Sequence, residues 1–347
     1  MESVNISYNI NAGFTKVPYF SQTSLNEFDV VVKPMFTGIC GSDLYLMHQM
    51  NSLKLKNLIL GHEWIGQVID KGSQVKLFNL GDIVTGTGHL SCGQCNYCKE
   101  NLTNLCEKTK HFSSNEIGSL ATKIIVDEFN LVKISASSEK KINSNWALYE
   151  VLSVAEEALL TCESNMFNLN SEVLILGAGP IGLAIAFVFK NKGYKVRLME
   201  LDSFRVAHAK HNNFECDLLQ TELILQQNKN KFSTIIDCSN DYNNKSGGFK
   251  FINYFSKKSY DLLLVGKYLN PLQITEKFYN KYIKMLFLRG TSKKTLVYTI
   301  EKWKNKIDQI GHLLVTHKFD VNEIDKAFDT ALNQKNCIKI LLDTSVL

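Results

Sequence analysis

Two rhythms along the chain predict an α/β protein that joins a mainly-β part to a doubly wound parallel sheet. Up to about residue 150, short apolar runs alternate with turn residues: FDVVVKPMF, WIGQVIDKG, GDIVTG and ATKIIVDEFNLVKI. Several of them carry the period-2 pattern of half-buried strands. From Glu172 the pattern becomes strand, glycine turn, helix. EVLIL (172–176) is followed by GAGPIGLAIAFVFKNKG, with Gly193 placed as a C-terminal cap. Further apolar runs at VRLME, TIIDC, LLLVG and MLFLRG are separated by helix-like stretches. Buried strands that alternate with helices are the mark of a parallel sheet covered on both faces. The segment after about residue 290 holds too few elements for a domain of its own, so it is expected to fold back onto the N-terminal part.

The bulk numbers agree with that picture. A chain of 347 residues has room for two cores, and 45% apolar with 21% charged residues is ordinary globular composition. The net charge of +5 is not gathered into a basic block or a basic–aromatic stripe, which argues against nucleic acid as a partner. No apolar run is long enough to span a bilayer, and the opening MESVNISYNI lacks the basic-then-apolar layout of a secretory signal. A cytoplasmic location is the expectation. The nine cysteines then point to metal rather than to disulfides.

Four of those cysteines, Cys92, Cys95, Cys98 and Cys106, lie within CGQCNYCKENLTNLC. Two-residue gaps turn successive thiolates inward on one ion, and the longer gap returns the fourth. Zinc takes such a closed set of four sulfurs where its task is structural. With every position filled by protein, this lobe has no place for a substrate.

A second set is weaker on spacing alone. Cys40 in GICGSD and His62 in LGHEWIG are zinc-type ligands, with Glu63 adjacent. A buried thiol and a surface His–Glu pair is the competing reading. Both residues sit in glycine-punctuated turns at the ends of strand-like runs, where function collects.

Gly177, Gly179 and Gly182 form G-x-G-x-x-G between an apolar strand and a helix, with Pro180 and Ile181 inside it. The first glycine permits a tight turn, the second lets backbone approach a pyrophosphate, and the third lets helix and strand pack closely. The helix N-terminus attracts the phosphates. Glu200, 18 positions after Gly182, can accept from both ribose hydroxyls and would repel the extra phosphate of NADP, so NAD(H) is expected over NADP(H). Asp202 lies past the strand end. Arg205 either lies against adenine or ribose or is a solvated helix arginine.

In order along the chain, GICGSD (38–43), GHE (61–63), the cysteine lobe, EVLSVA (150–155) and LGAGPIG (176–182) closely resemble the zinc-containing medium-chain dehydrogenase/reductase superfamily. The resemblance covers nearly the full chain. It implies a GroES-like catalytic domain over 1–152 with its zinc lobe at about 89–110, a Rossmann NAD-binding domain over 153–290, and a return to the catalytic domain over 291–347. A homodimer or homotetramer is also implied. EVLSVA is similar to the segment of the polyol (sorbitol) dehydrogenase branch, with Val151 where proline is usual. In that branch Glu150 is at or next to a catalytic zinc, directly or through its water, beside Cys40, His62 and, in several members, Glu63. Cys162 is placed too far along to be a ligand and reads as a small core residue.

The motifs and the resemblance together imply a two-zinc, NAD(H)-linked alcohol dehydrogenase that oxidises a secondary alcohol of a polyol or sugar-like substrate. Zinc would acidify the hydroxyl, hydride would pass to nicotinamide, Ser42 would begin the proton relay, and Asp43 would orient a ligand or the loop. As alternatives, Ser42 and Asp43 are simple turn formers. Three departures bear on substrate. Tyr45 stands where many relatives have a relay histidine, with His48 off the spacing and read as a surface residue. Lys293 and Lys294 in RGTSKKT replace an Arg–Tyr pair that touches substrate, so they either attract a phosphate or carboxylate or lie in a solvated loop. Glu156 and Glu157 fill a segment where relatives have an apolar residue and a histidine. His89 in GHLSC is similar to L-threonine dehydrogenases, which keeps that activity open beside sugar-phosphate and aminocyclitol oxidation. A non-catalytic NAD-binding relic of the same scaffold is the alternative of another class. It should lose zinc ligands first, and Cys40, His62, Glu63 and Glu150 are all present.

Overall fold

A computed structural model describes residues 3–18, 25–50, 57–114, 117–135, 142–220, 222–239, 248–266, 276–333 and 336–347. The chain divides into two compact units, Met1–Ser153 with Gly290–Leu347, and Val154–Arg289. Among the described residues no helix is long and apolar enough to cross a membrane.

In the first unit the centre is a seven-stranded sheet. Its path runs Val132–Ser135, Ile83–Thr85, Glu63–Lys71, Asp29–Ile39, Lys339–Asp343, Val315–Asp320, and Ile124–Asp127 also pairs with Asp29–Ile39. Neighbours are antiparallel except the last two on the path, which are parallel and flank the helix Ile324–Asn333. The C-terminal strand therefore completes the sheet begun near the N-terminus, with Ile340 opposite Ile39.

The strand Asp29–Ile39 is not half-buried: no residue along it is exposed, and most are buried. Its central position is the reason. Val30 and Val32 pack with Trp64, Val68 and Val126, while Ile39 packs with Met47, Leu60 and Phe328 in a second cluster. One strand thus joins two cores, each burying enough apolar surface to hold its side of the sheet.

The second unit is a six-stranded, all-parallel sheet. Its order is Cys216–Leu218, Val196–Glu200, Val173–Leu176, Phe232–Asp237, Ser256–Leu264, Tyr282–Phe287. The order reverses between Val173–Leu176 and Phe232–Asp237, and ligands of doubly wound sheets bind at the carboxyl ends of strands flanking such a switch. The helix Pro180–Lys192 follows Val173–Leu176 and buries every residue from Gly182 to Phe189. It stops at Gly193, whose φ of 100° is the left-handed cap conformation. The α/β class and the parallel sheet match the sequence expectation, and the predicted strands at 172–176 and 196–200 are present.

Candidate active site

Strand register builds the first cluster. Gly38 pairs with Glu63 across an antiparallel ladder. Cys40, two residues beyond Gly38, and His62, one residue before Glu63, therefore emerge at the same end of the sheet. Glycine at Gly38 leaves room for the Glu63 carboxylate, which Lys339 holds in place and a Cβ there would displace. The third strand brings Lys339 alongside, next to the Ile340–Ile39 pair. Cys40, His62 and Glu63 each offer a ligand atom within 4.8 Å of the others.

Glu150 reaches the same place from the first turn of the helix Tyr149–Ser164. A Cβ added to Gly88 would lie 3.3 Å from His62 Cδ2 and 3.5 Å from Glu150 Oε1, so both side chains border one small space that the absent side chain leaves open. Burial pushes the Glu150 carboxyl up to about 7; His62 and Lys339 pull it down, while Glu63 and Asp43 add to the rise. A nitrogen, a sulfur and carboxylate oxygens converging on a recess suit zinc in chemistry and in number.

The ring of His62 is held from behind. Its Nδ1 lies 3.2 Å from Asp43 Oδ1 and 3.0 Å from Ser113 Oγ. Asp43 is buried, and its other oxygen accepts the Cys40 N–H at 3.0 Å, capping the helix Gly41–Gln49. Asp43 thus ties the Cys40 turn to the His62 ring with one carboxylate. Burial alone would raise Asp43, yet His62, Ser113 and the Cys40 N–H hold it below its usual value. Burial alone would lower His62, yet Asp43 and Cys40 raise it well above its usual value. Nε2, on the opposite side of the ring, is 3.2 Å from Ser42 Oγ.

Lys339, the first residue of the strand Lys339–Asp343, completes the cluster. Its ammonium donates to both oxygens of Glu63, at 2.8 and 2.7 Å, and to the Ile39 carbonyl at 3.0 Å. Both side chains of the pair are essentially inaccessible. Burial would lower the Lys339 pKa, but Glu63 and then Cys40 raise it. A lone lysine inside the apolar run CIKILL was the available signal, since lysine is rarely buried without a partner. Ser113 gave no signal.

The cysteine lobe is assembled separately. The sulfurs of Cys92, Cys95, Cys98 and Cys106 all lie within 4.8 Å of one another. A zinc tetrahedron with bonds of about 2.3 Å needs them roughly 3.8 Å apart, so a small closure suffices. Backbone N–H groups point at the sulfurs, from Cys92 to Cys106 Sγ at 3.3 Å and from Cys95 to Cys92 Sγ at 3.4 Å. The N–H groups of Gln94 and Cys95 lower the Cys92 thiol to about 6, whereas burial pushes Cys98 up to about 12. Thiols so crowded ionise together only if a cation shares their charge.

In the second unit the fingerprint has the shape its glycines require. Gly177 has a φ of 96°, and a Cβ on Gly182 would fall 1.9 Å from the Gly177 carbonyl oxygen. Pro180 opens the helix, and its first ladder bond runs from Leu183 N–H to Gly179 O. The N–H groups of Ile181 and Gly182 lie ahead of that ladder, where an anion would meet them. Glu200 ends its strand and accepts from the N–H groups of Ala178, Leu201 and Asp202 at 2.8, 2.6 and 3.1 Å. Asp202 caps the next helix through the Arg205 N–H. Arg205 Nη1 is 3.8 Å from Glu200 Oε2, so this arginine is paired with the acid rather than simply solvated.

The remaining residues separate cleanly. Cys162 is fully buried, as a core residue should be, and His48 is exposed. Lys293 is not free to receive an anion: its ammonium donates to the Phe129 carbonyl at 2.6 Å and its N–H to Thr103 Oγ1 at 2.8 Å. Burial lowers its pKa. Lys294 is exposed in the first turn of the helix Lys293–Trp303.

Comparison with known proteins agrees with this architecture. The alcohol dehydrogenase GroES-like domain matches residues 26–136. The L-threonine 3-dehydrogenase of Yersinia pestis (strain Pestoides F) is 26% identical over 335 residues, covering 93% of each chain. Among solved structures, galactitol-1-phosphate dehydrogenase from Escherichia coli superposes with a TM-score of 0.81 at 21% identity, over 99% of this chain and 100% of that one. A short-chain alcohol dehydrogenase from E. coli CFT073, complexed with NADH, gives 0.81 at 22% identity over 99% of both chains. These structural likenesses speak for the fold. Residues 26–136 thus carry an alcohol dehydrogenase GroES-like domain, and the relatives that match along 93% of the chain are dehydrogenases.

Proposed function

We propose that this chain is a two-zinc, NAD(H)-linked dehydrogenase that oxidises a secondary alcohol of a polyol or sugar-like small molecule. The observation that carries the reading is the meeting of Cys40, His62 and Glu63, with Glu150 bordering the His62 ring across the recess at Gly88. When bound, zinc supplies the Lewis acidity that makes a bound hydroxyl acidic near neutral pH, and nicotinamide accepts the hydride. Cys40 and His62 would hold the metal, the ring through Nε2, the nitrogen turned away from Asp43 and Ser113. Glu63 is engaged by Lys339 through both oxygens, which leaves Glu150 as the carboxylate free to face the site. Ser42, beside His62 Nε2, receives the proton that leaves the substrate hydroxyl. Cys92, Cys95, Cys98 and Cys106 keep a second zinc for the lobe.

In the second unit Gly177, Gly179, Pro180, Ile181 and Gly182 receive the pyrophosphate, and Glu200 takes the ribose hydroxyls. Its charge, partly offset by Arg205, favours NAD(H) over NADP(H). The resemblance also supports a homodimer or homotetramer in the cytoplasm. A second substrate reading, L-threonine, is favoured by the curated relatives, which match along 93% of the chain.

The test is cofactor reduction at 340 nm by zinc-loaded protein. Sorbitol, xylitol, sugar phosphates, an aminocyclitol, L-threonine and simple secondary alcohols are each offered with NAD+ and with NADP+. Turnover of a polyol or sugar-like alcohol with NAD+ alone is the expected result. Turnover of L-threonine alone would replace the substrate class and keep the chemistry. Silence with every substrate would favour the non-catalytic relic.

A further inference from the structure

We propose that Ser113 is a positioning residue that fixes the tautomer of His62, and so decides which ring nitrogen is offered to the metal. The inference rests on the metal-site reading above and assigns a role to a residue outside the sequence motifs. Two independent observations carry it. Ser113 has a φ of 58°, a left-handed backbone that L side chains other than Asn and Asp rarely adopt. It is also buried, and its hydroxyl touches both members of the His62–Asp43 pair.

The hydrogen-bond inventory gives that contact a direction. A serine hydroxyl has one proton to donate. The Ser113 hydroxyl lies 2.6 Å from Asp43 Oδ1, and an ionised carboxylate only accepts, so the proton goes to Asp43. The same oxygen is 3.0 Å from His62 Nδ1, where it is left to accept. The ring must therefore carry its proton on Nδ1, which also lies 3.2 Å from Asp43 Oδ1. The relay reads His62 Nδ1–H to Ser113 Oγ, and Ser113 O–H to Asp43. Nε2 keeps its lone pair on the side of Ser42. Unaided, Asp43 would hold the ring through one longer contact. The serine adds the shorter one, from a backbone conformation that a glycine would adopt more easily. Partners of this kind set ligand orientation and basicity in metal sites.

Two variants separate the hydroxyl from the backbone. Ser113→Gly removes the hydroxyl and relieves the left-handed backbone, while Ser113→Ala removes the hydroxyl and keeps the strain. Zinc affinity of the second site is read by competition with a chromophoric chelator, and cobalt substitution reports ligand geometry by its visible absorption. Long-range 1H–15N correlation of the imidazole reports, in the zinc-loaded wild type, which nitrogen of His62 keeps its proton. The expected result is an Nδ1–H ring in the wild type and an affinity loss of about 10–100-fold in both variants, with an altered cobalt spectrum. Unchanged affinity in both variants, loss in Ser113→Ala alone, or an Nε2–H ring in the wild type would each overturn the proposal. A wild-type protein that binds no metal beyond the cysteine lobe would overturn the metal-site reading and this proposal with it.

Discussion

Replacing Lys339 by methionine is expected to cost the fold about 3–5 kcal/mol, which for a unit of this size lowers the melting temperature on the order of 10 °C. The reason lies in what is left behind. Lys339 and Glu63 are both buried, and the ammonium spends its donors on the two Glu63 oxygens and the Ile39 carbonyl. Removing the cation strands a carboxylate beside Cys40 with no water to solvate it. The double variant Lys339→Met with Glu63→Met should regain most of the loss, because removing both charges together also removes the desolvation penalty. Urea unfolding of wild type, single and double variants checks this. A single variant as stable as the wild type would contradict a buried, mutually dependent pair, as would a double variant no better than the single.

Glu150→Gln should move activity and stability in opposite directions. With metal present, loss of the Glu150 carboxylate is expected to reduce turnover by at least about 100-fold. Without metal, the same variant should be the more stable protein at alkaline pH. Burial first, then Glu63 and Asp43, raise the Glu150 carboxyl from 4.5 to about 7 against the pull of His62 and Lys339. A raised carboxyl favours the folded state fully below pH 4.5, and that advantage is lost as pH climbs through 7. Glutamine does not titrate. Urea titrations of chelator-dialysed proteins should coincide near pH 4.5 and differ by about 1–3 kcal/mol in favour of the variant by pH 8. A gap that is independent of pH, or that widens towards acid, would contradict the buried, metal-facing placement of Glu150. The cost of an ionised carboxylate in that recess is what a bound cation relieves.

How much of the molecule is legible in its sequence depends on how far apart the partners lie. The cysteine lobe and the glycine fingerprint are local: their spacing alone brings the groups together, and the structure has them together. Gly182 is legible for the same reason, since its clash partner is only a turn away at Gly177. The second cluster depends on register. Nothing short of the Gly38–Glu63 pairing says that Cys40 and His62 share a sheet end. Lys339 is 300 residues from the Ile39 carbonyl it caps, so only its odd position in an apolar run hinted at a partner. Ser113 comes after the lobe in a stretch without periodicity, and its left-handed backbone is not one that serine announces. Lys293 and Lys294 show the reverse case. Their position, where the resemblance has an Arg–Tyr pair that touches substrate, leaves an anion site and a solvated loop both open, and Lys293 spends its ammonium on the Phe129 carbonyl.

If Cys40, His62 and Glu150 form a metal centre separate from the lobe, the metal content of each chain must show it. Elemental analysis of the purified, zinc-supplemented protein should give two zinc ions per chain. Cys40→Ser and Cys98→Ser should each lower the count to one, from different sites. One zinc per chain in the wild type, lost in Cys98→Ser and untouched by Cys40→Ser, would contradict a second metal centre.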